Sequence, residues 1–307
     1  MRELIDSTSL LGDPAALIAR LARDGYLLLR AVLPVARITE AHDAIIATLH
    51  EGGWVDATGA LLPLALSKSA GSQHPAFRAA TQLPEFNRLP YLPALKALAA
   101  SLLGPGAYSL PSKVLRTTAP SRARTEPGRY AHQDYAYWRI SDMLTTWAPL
   151  MEISPEHGAL AVVPGSHLGP PVALLPFAGT EPGWATTTYR PGDVIVFHCL
   201  TAHAALPNRR EALRICGDFR WQRPEEPVCA ELVRGSTGAE LGAQLFHRES
   251  WWHPMPAGVP IVKESPVAAP RSRFFAVHPG WLDWQPPRDD YAPPPRRAEL
   301  HTTTEVH

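Results

Sequence analysis

The sequence predicts a mostly β protein with helices in its N-terminal part, an α+β chain whose helices pack against a β-core. Two observations support this fold class. Up to about residue 105, apolar residues recur at helical spacing between start and stop signals. From about residue 107, short apolar runs alternate with Pro and Gly, as in an antiparallel sandwich or barrel.

Three helices are predicted in the N-terminal third. The first has Asp13 as its N-cap, Pro14 at its first helical position and Gly25 as its stop. A short buried strand, "YLLLRAV", follows it. The second helix is amphipathic and closes at glycines, and the third is rich in Leu and Ala. The three helical segments are 13–25, 34–53 and 92–104.

The predicted core strands are short and separated by turn residues. We expect them in "YSLPSKVLRTT", "MLTTWAPLMEI", "GALAVVPGSH", "DVIVFHCL" and "LRICGDFRW". One domain is predicted over 1–284, with a helical part to about 105, a core to about 222, and an extension or lid from 223 to 284. The Pro-rich segment 285–307 has few apolar residues, which predicts a disordered or surface-draped tail.

Composition argues against several classes of partner. Lys+Arg and Asp+Glu are 29 each, so the net charge gives no electrostatic case for nucleic acid or an anionic membrane. No apolar run approaches the roughly 20 residues of a membrane span. The first residues carry acidic groups and predict no signal peptide. Three cysteines without metal-site spacing predict a reduced, cytoplasmic protein.

The stretch "RYAHQDYAYWRI", residues 129–140, holds the first candidate ligands. On a strand, residues i and i+2 point to the same face with Cα atoms about 7 Å apart. His132 and Asp134 are therefore able to approach one metal ion. Taken by themselves, they are more often a hydrogen-bonded structural pair on a sheet.

A third ligand is predicted from residues 191–221. This segment indicates a strand, a turn near residues 208–209 and a returning strand, so that a regular hairpin places His203 about opposite Arg214. An inward-facing arginine is costly unless it holds an anion, and a guanidinium suits a carboxylate. His198 is the alternative third ligand. Two histidines and one carboxylate with open positions form the ligand set of non-haem Fe(II) oxygenases.

These motifs resemble the phytanoyl-CoA dioxygenase family of Fe(II)/2-oxoglutarate oxygenases over roughly residues 20–222. The similar pieces occur in the family's order: "RDGYLLLRAVLP", "HQD", "TTWAPLMEISPEHGALAVVPGSH", "PGDVIVFHCLTAHAALPN", and an arginine eleven residues beyond the distal histidine. The resemblance implies a double-stranded β-helix, the jelly-roll or cupin-like fold, for the core at about 106–222.

The resemblance also implies roles for five residues. His132, Asp134 and His203 would ligate Fe(II). Arg214 would bind the distal carboxylate of 2-oxoglutarate, and Trp147 would line that pocket. Three further candidates for contact with 2-oxoglutarate remain open on the strand before "HQD": Lys113, Arg116 and Thr117.

A second group of candidates surrounds the predicted iron. The residues that could line a substrate pocket are Tyr135, Tyr137, Arg220 and Trp221. His157 and His167 occur in the turns "PEHG" and "PGSH", so we expect them to form hydrogen bonds rather than to ligate metal.

The resemblance implies an enzyme that uses Fe(II), 2-oxoglutarate and O₂ to hydroxylate a small organic molecule, such as a secondary-metabolite intermediate. Desaturation, ring closure and a carrier-bound or CoA-bound substrate remain open. Halogenases of this fold have a small residue where this chain has Asp134, which argues for oxidation instead. Two alternatives are a zinc-dependent hydrolase, which would not need Arg214, and a catalytically silent binding protein, which would not need the full ligand set.

Overall fold

The computed structural model describes residues 1–56, 59–62, 74–121, 130–172, 175–177, 179–229, 256, 258–262, 269–282 and 284. The α-helices in these ranges are α1 Pro14–Asp24, α2 Val35–Glu51, α3 Pro75–Thr81, α4 Pro84–Asn87, α5 Pro93–Leu103 and α6 Tyr135–Trp138. The strands are β1 Arg2–Glu3, β2 Tyr26–Leu29, β3 Tyr108–Ser109, β4 Val114–Thr118, β5 Tyr130–Ala131, β6 Leu144–Pro149, β7 Leu160–Val162, β8 Leu175–Pro176, β9 Ala185–Thr186, β10 Val194–His198, β11 His203–Ala205, β12 Arg214–Gln222, β13 Val228–Cys229 and β14 Ile261–Val262.

Two sheets form the β-core. The larger sheet is antiparallel and has the order β2-β10-β6-β12-β3, with β4 also paired to β12. The smaller sheet has the order β1-β9-β7-β11, and its only parallel pair within the described residues is β1 with β9. The predicted class, helices together with antiparallel sheets, is confirmed.

The larger sheet is buried on both faces, as its longest strand illustrates. Every residue of β12 is buried, although the strand alternates polar and apolar side chains. Ile215 and Phe219 join an apolar core with the helices, including Ile38 of α2. Cys216 points the other way, into a second core shared with β7 of the smaller sheet. The period-2 alternation expected of a strand therefore separates the helix-facing side from the inter-sheet side.

The ends of α1 are built as the sequence predicts. The Asp13 side chain accepts a hydrogen bond from Ala16 N at 3.0 Å, which satisfies one free N–H of the first turn. Gly25 ends the helix with φ +80°, where an added Cβ would lie 2.5 Å from Nδ1 of His167. Only glycine meets both demands, and the chain then enters β2 directly.

The hairpin predicted between residues 191 and 221 is wrong. Strand β11 pairs with β7 in the smaller sheet, whereas β12 pairs with β4 and β6 in the larger one. The connection over residues 206–213 therefore crosses between sheets. His203 and Arg214 lie on different layers and are not cross-strand neighbours.

The strand predicted through "HQD" is also shorter than expected. Strand β5 ends at Ala131, and His132 forms an isolated bridge with His203. Asp134 has φ −57° and ψ −29°, which is helical backbone, and it leads into α6. The aromatic residues that follow are therefore arranged on a helical turn and not alternately on a strand.

The described C-terminal residues 269–282 and 284 pack against the core. Trp281 is buried and meets the Tyr135 ring edge-on, with ring centroids 5.6 Å apart. The backbone N–H of Arg273 donates to Oδ2 of Asp142 at 2.9 Å.

The predicted division of the chain into a helical part, a core and an extension, near residues 105 and 222, stays a prediction. Residues 230–255 of the predicted extension or lid and the whole tail 285–307 lie outside the described residues.

Two further elements at the N-terminal end belong to the β-core. Strands β1 and β2 precede the second helix in the chain but take edge positions in the smaller and the larger sheet.

Short 3₁₀ helices occur at Thr8–Leu10, Leu89–Tyr91, Ser166–Leu168 and Pro279–Trp281. None of the helices in the described ranges combines the length and hydropathy that a bilayer crossing requires.

Candidate active site

His132, Asp134 and His203 converge at one point between the sheets. Oδ1 of Asp134 lies 3.8 Å from Nε2 of His132 and 3.7 Å from Nε2 of His203. One possible ligand atom from each residue lies within 4.8 Å of the others. The bridge between His132 and His203 sets the two imidazoles side by side, with ring centroids 4.2 Å apart. This spacing allows three donors to reach one ion.

The backbone fixes which nitrogen each histidine offers. Nδ1 of His132 donates to the carbonyl oxygen of Tyr130 at 2.9 Å, and Nδ1 of His203 donates to that of Thr201 at 3.0 Å. Because a neutral imidazole carries one proton, each Nε2 keeps a lone pair directed towards Asp134. This is the arrangement in which a carbonyl orients a metal-binding histidine.

The three candidate ligands are held in the protonation states that a metal ion requires. Burial is the largest influence on both imidazoles: it lowers the pKa of His132 to about 3 and also lowers that of His203. Burial opposes ionisation of Asp134, but the Arg220 guanidinium is the largest of the influences that outweigh it, so the pKa of this carboxyl lies below its ordinary 3.8. The donor set is thus two neutral nitrogens and one carboxylate.

The second oxygen of Asp134 is anchored from the larger sheet. Thr145 Oγ1 donates to Oδ2 at 2.6 Å, and Nε of Arg220 lies 3.6 Å from the same oxygen. Thr145 and Arg220 are direct cross-strand partners on β6 and β12. The two strands together turn Oδ1 towards the histidines.

A cavity of about 600 Å³ opens beside the three candidate ligands. His132 and Asp134 lie in its wall. The other lining residues come from β4, α6, β12 and the connection that follows β11; they include Val114, Arg116, Thr118, Tyr137, Trp138, Pro207, Asn208 and Arg220. The volume falls in the range of small-molecule sites, and the wall mixes aromatic, apolar and charged groups.

Arg214 is a buried cation that is not part of the cavity wall and contacts the wall through Thr118. Its Nη1 donates to the carbonyl oxygen of Gly158 at 2.6 Å and its Nη2 to Oγ1 of Thr118, a cavity residue, at 2.9 Å. Nε has no hydrogen-bond partner. Across the described parts of the chain, no carboxylate lies within ion-pair distance of Arg214. A buried guanidinium without a counter-ion is a site for an anion.

The strand before "HQD" presents one of its three open candidates to the cavity. Arg116 lines the cavity between Val114 and Thr118, and its Nε donates to Oδ2 of Asp218 at 2.6 Å. Lys113 Nζ lies 4.9 Å from the centroid of the Tyr91 ring, outside the cavity wall. Thr117 is not in the wall either, because its neighbours at i−1 and i+1 take that face.

The other site candidates are divided between the cavity and the core. Tyr137 and Arg220 line the cavity. Tyr135 packs against Trp281, and Trp221 belongs to the core beneath the helices, so the structure brings neither to the cavity. Trp147 is buried between the sheets, with its ring 4.7 Å from that of Tyr189.

The remaining histidines have other partners. His198 Nε2 lies 3.3 Å from Oδ1 of Asp142, away from the three candidate ligands. His157 Nε2 bonds the carbonyl oxygen of Ala212 at 3.2 Å, and His167 Nε2 bonds that of Ala22 at 2.9 Å.

Sequence reasoning missed Thr145 and Thr118. Both are threonines in predicted strands; Thr145 begins the quoted motif "TTWAPLMEISPEHGALAVVPGSH", but neither threonine was given a role. A signal for Thr145 was present, since it is two residues before Trp147 and so shares its face of β6. Thr118 shares the face of Arg116 by the same rule.

The chain is similar to known proteins in sequence and in fold. The profile of the Phytanoyl-CoA dioxygenase (PhyH) family matches residues 21–216. The 1-deoxypentalenic acid 11-beta-hydroxylase of Streptomyces exfoliatus is 25% identical over 228 residues, covering 68% of this chain and 80% of that protein. A crystal structure of the epimerase SnoN with Fe³⁺, alpha-ketoglutarate and nogalamycin RO has a TM-score of 0.52 and 24% identity, over 82% of this chain and 98% of that one.

The family match spans most of the chain and contains every residue of the candidate metal site. The chain therefore belongs to the phytanoyl-CoA dioxygenase family, whose members are non-haem iron enzymes that use 2-oxoglutarate and O₂.

Proposed function

We propose that this protein hydroxylates an unactivated C–H bond of a small organic molecule, with Fe(II) bound by His132, Asp134 and His203 on a jelly-roll core. The observation that carries the proposal is the pairing of this donor set with Arg214, a buried cation without a carboxylate partner, beside one cavity. A zinc hydrolase would need only the first of these two features.

The donor set fits Fe(II) on chemical grounds. Two neutral Nε2 atoms and one ionised carboxylate form the facial set that leaves coordination positions open for other molecules. When bound there, Fe(II) supplies the activation of O₂ that 2-oxoglutarate drives. The protein holds the ligands in the correct state: Tyr130 and Thr201 carbonyls orient the imidazoles, and Thr145 orients Asp134.

Arg214 is the proposed partner of the distal carboxylate of 2-oxoglutarate. Gly158 and Thr118 hold the two Nη atoms in place, and Nε–H is a buried donor without an acceptor. Gly158 has φ +79°, and a Cβ there would lie 2.9 Å from the carbonyl oxygen of Leu206, so a side chain at this position would disturb the support of Arg214. Arg116, on the same wall, is the proposed additional contact.

The cavity supports a small organic substrate. Its aromatic and apolar residues, among them Tyr137, Trp138 and Pro207, provide surface for a hydrocarbon skeleton. The hydroxylase of Streptomyces exfoliatus acts on 1-deoxypentalenic acid, which favours a secondary-metabolite intermediate for this chain as well.

Turnover of 2-oxoglutarate tests this function without knowledge of the substrate. Wild-type protein with Fe(II) and O₂ is expected to form succinate slowly, and His203→Ala and Arg214→Gln to form none. Arg210→Gln removes an exposed arginine from the connection between β11 and β12 and serves as the matched control. If Zn(II) instead supports hydrolysis of 4-nitrophenyl acetate that His203→Ala abolishes, while no succinate forms, the hydrolase takes the place of this proposal.

A further inference from the structure

The guanidinium of Arg220 is buried in the cavity wall with donors left over. Its side chain is 4% exposed, yet it lines the cavity between Asp134 and Trp138. Among the residues that the structure describes, neither Nε nor Nη1 has a hydrogen-bond partner. A buried donor without an acceptor costs free energy, so these N–H groups indicate that an acceptor from a ligand binds here.

The three nitrogens of Arg220 face different neighbours. Nε lies 3.6 Å from Oδ2 of Asp134, and Nη2 lies 3.6 Å from Oδ2 of Asp218. Asp218 is held more closely by Arg116, at 2.6 Å. Nη1 has no carboxylate within ion-pair distance in the described part of the chain. Nη1 is therefore a donor without an acceptor, on a side chain that lines the cavity.

Trp138 holds the guanidinium in this orientation. The guanidinium carbon of Arg220 lies 4.4 Å from the centroid of the Trp138 ring, in cation–π contact. The ring removes water from one face of the cation. Stacking fixes the plane of the guanidinium, and its in-plane N–H donors suit a carboxylate.

The charges around the cavity leave a positive surplus. The described cations are Arg116, Arg214 and Arg220, and the described carboxylates are Asp134 and Asp218. Fe(II) carries a charge of +2 and 2-oxoglutarate a charge of −2. Binding of both therefore leaves the surplus of one positive charge unchanged. Arg220 then shares Asp134 with a metal ion, which makes it the cation least well compensated.

We propose that Arg220 anchors the substrate and that the substrate is a monoanion, with a carboxylate or an equivalent oxyanion that accepts from the guanidinium. This inference rests on the proposed function and narrows it to a substrate class. The oxidised carbon would then lie on the skeleton between this anchor and the metal ligands.

The carboxylate that binds Arg220 could belong to the substrate or to 2-oxoglutarate itself. Calorimetry on the Ni(II) form distinguishes them, because Ni(II) replaces the iron without turnover. The protein is first titrated with 2-oxoglutarate. The loaded protein is then titrated with acid and amide pairs of one skeleton: cyclohexanecarboxylate with cyclohexanecarboxamide, and 4-phenylbutyrate with 4-phenylbutanamide.

We expect at least one acid to bind wild-type protein about tenfold or more tightly than its amide, as a charge-assisted hydrogen bond provides. Arg220→Gln should remove this preference while 2-oxoglutarate binds as before. Arg220→Lys should restore part of it, and Arg210→Gln should retain it. Melting temperatures show whether each variant is folded, and the lysine variant carries the test if Arg220→Gln is not.

Three results would overturn the inference. The first is the lack of a tenfold acid preference in every pair with wild-type protein. The second is an unchanged preference in Arg220→Gln. The third is weaker 2-oxoglutarate binding in Arg220→Gln with the acid preference intact, which assigns the arginine to the co-substrate. Failure of Ni(II)-loaded wild-type protein to bind 2-oxoglutarate would instead contradict the proposed function itself.

Discussion

The hydroxyl of Thr145 donates a 2.6 Å hydrogen bond to Oδ2 of Asp134, the oxygen opposite the one that faces the two imidazoles. Strand β6 of the larger sheet thereby orients a carboxylate that belongs to the turn before α6. This hydrogen bond also gives the buried Oδ2 a donor in addition to the nearby Arg220 guanidinium. The metal site therefore depends on the packing of α6 against the sheet.

Thr145→Val should weaken metal binding. The valine keeps the shape but removes the donor, so Fe(II) affinity is expected to fall about 10–100-fold, as for other partners of metal ligands. Anaerobic titration with Fe(II) measures this. Thr146→Val is the control, because Thr146 is buried on the opposite face of the same strand. Equal losses in both variants would mean that general packing is responsible.

His203→Ala and His198→Ala should have separate effects. The first removes a proposed ligand, so stoichiometric Fe(II) binding is lost while the fold is kept. The second leaves Asp142 without its buried partner, which is expected to cost about 1–3 kcal/mol of stability. Metal titration and urea unfolding of both variants check this. Loss of Fe(II) binding in His198→Ala alone would make His198 the third ligand.

Arg214→Gln should abolish tight binding of 2-oxoglutarate while Fe(II) still binds. Removal of one member of a buried charge pair costs about 2–5 kcal/mol, so the Kd for 2-oxoglutarate should rise at least about 30-fold. Calorimetry on the Ni(II) form gives the value. The exposed Arg210→Gln should bind 2-oxoglutarate like wild-type protein, and a shared weakening would point to long-range charge instead.

Acid should destabilise the protein in part through His167. Burial lowers the pKa of His167 in the folded protein to about 4, below the ordinary 6.5. As pH falls, the unfolded chain therefore takes up this proton first, so stability is complete above pH 6.5 and declines towards pH 4. His167→Gln should lose less stability over that window, measured by urea unfolding of metal-free protein. His42→Gln, at a partly exposed position of α2, should follow the wild-type profile.

Apolar periodicity predicted the main helices and core strands because burial determines both. Of the two structural errors, one concerns tertiary topology and the other a local backbone conformation. Symmetry about a turn gives the register of a hairpin only when both strands share a sheet, and residues 206–213 cross between sheets. Asp134 reaches His132 through a helical turn, a local choice that the i, i+2 spacing does not reveal.

The proposed metal ligands were accessible to sequence reasoning because motifs in the family's order mark them. Residues whose role depends on the direction of the side chain could not be assigned from the sequence. Tyr135 and Tyr137 share a strand face in the sequence, yet on α6 only Tyr137 lines the cavity, while Tyr135 turns to Trp281. Trp281 itself lies far beyond the family match, so no local pattern predicts that it packs here.

Anaerobic absorption spectroscopy of the metal-free protein tests the central claim most directly. The wild-type protein should develop a weak visible charge-transfer band that requires both Fe(II) and 2-oxoglutarate. His132→Ala should show no band, and Arg214→Ala should show it only at much higher 2-oxoglutarate. A wild-type protein that binds Zn(II) tightly and develops no band with Fe(II) and 2-oxoglutarate would contradict the account.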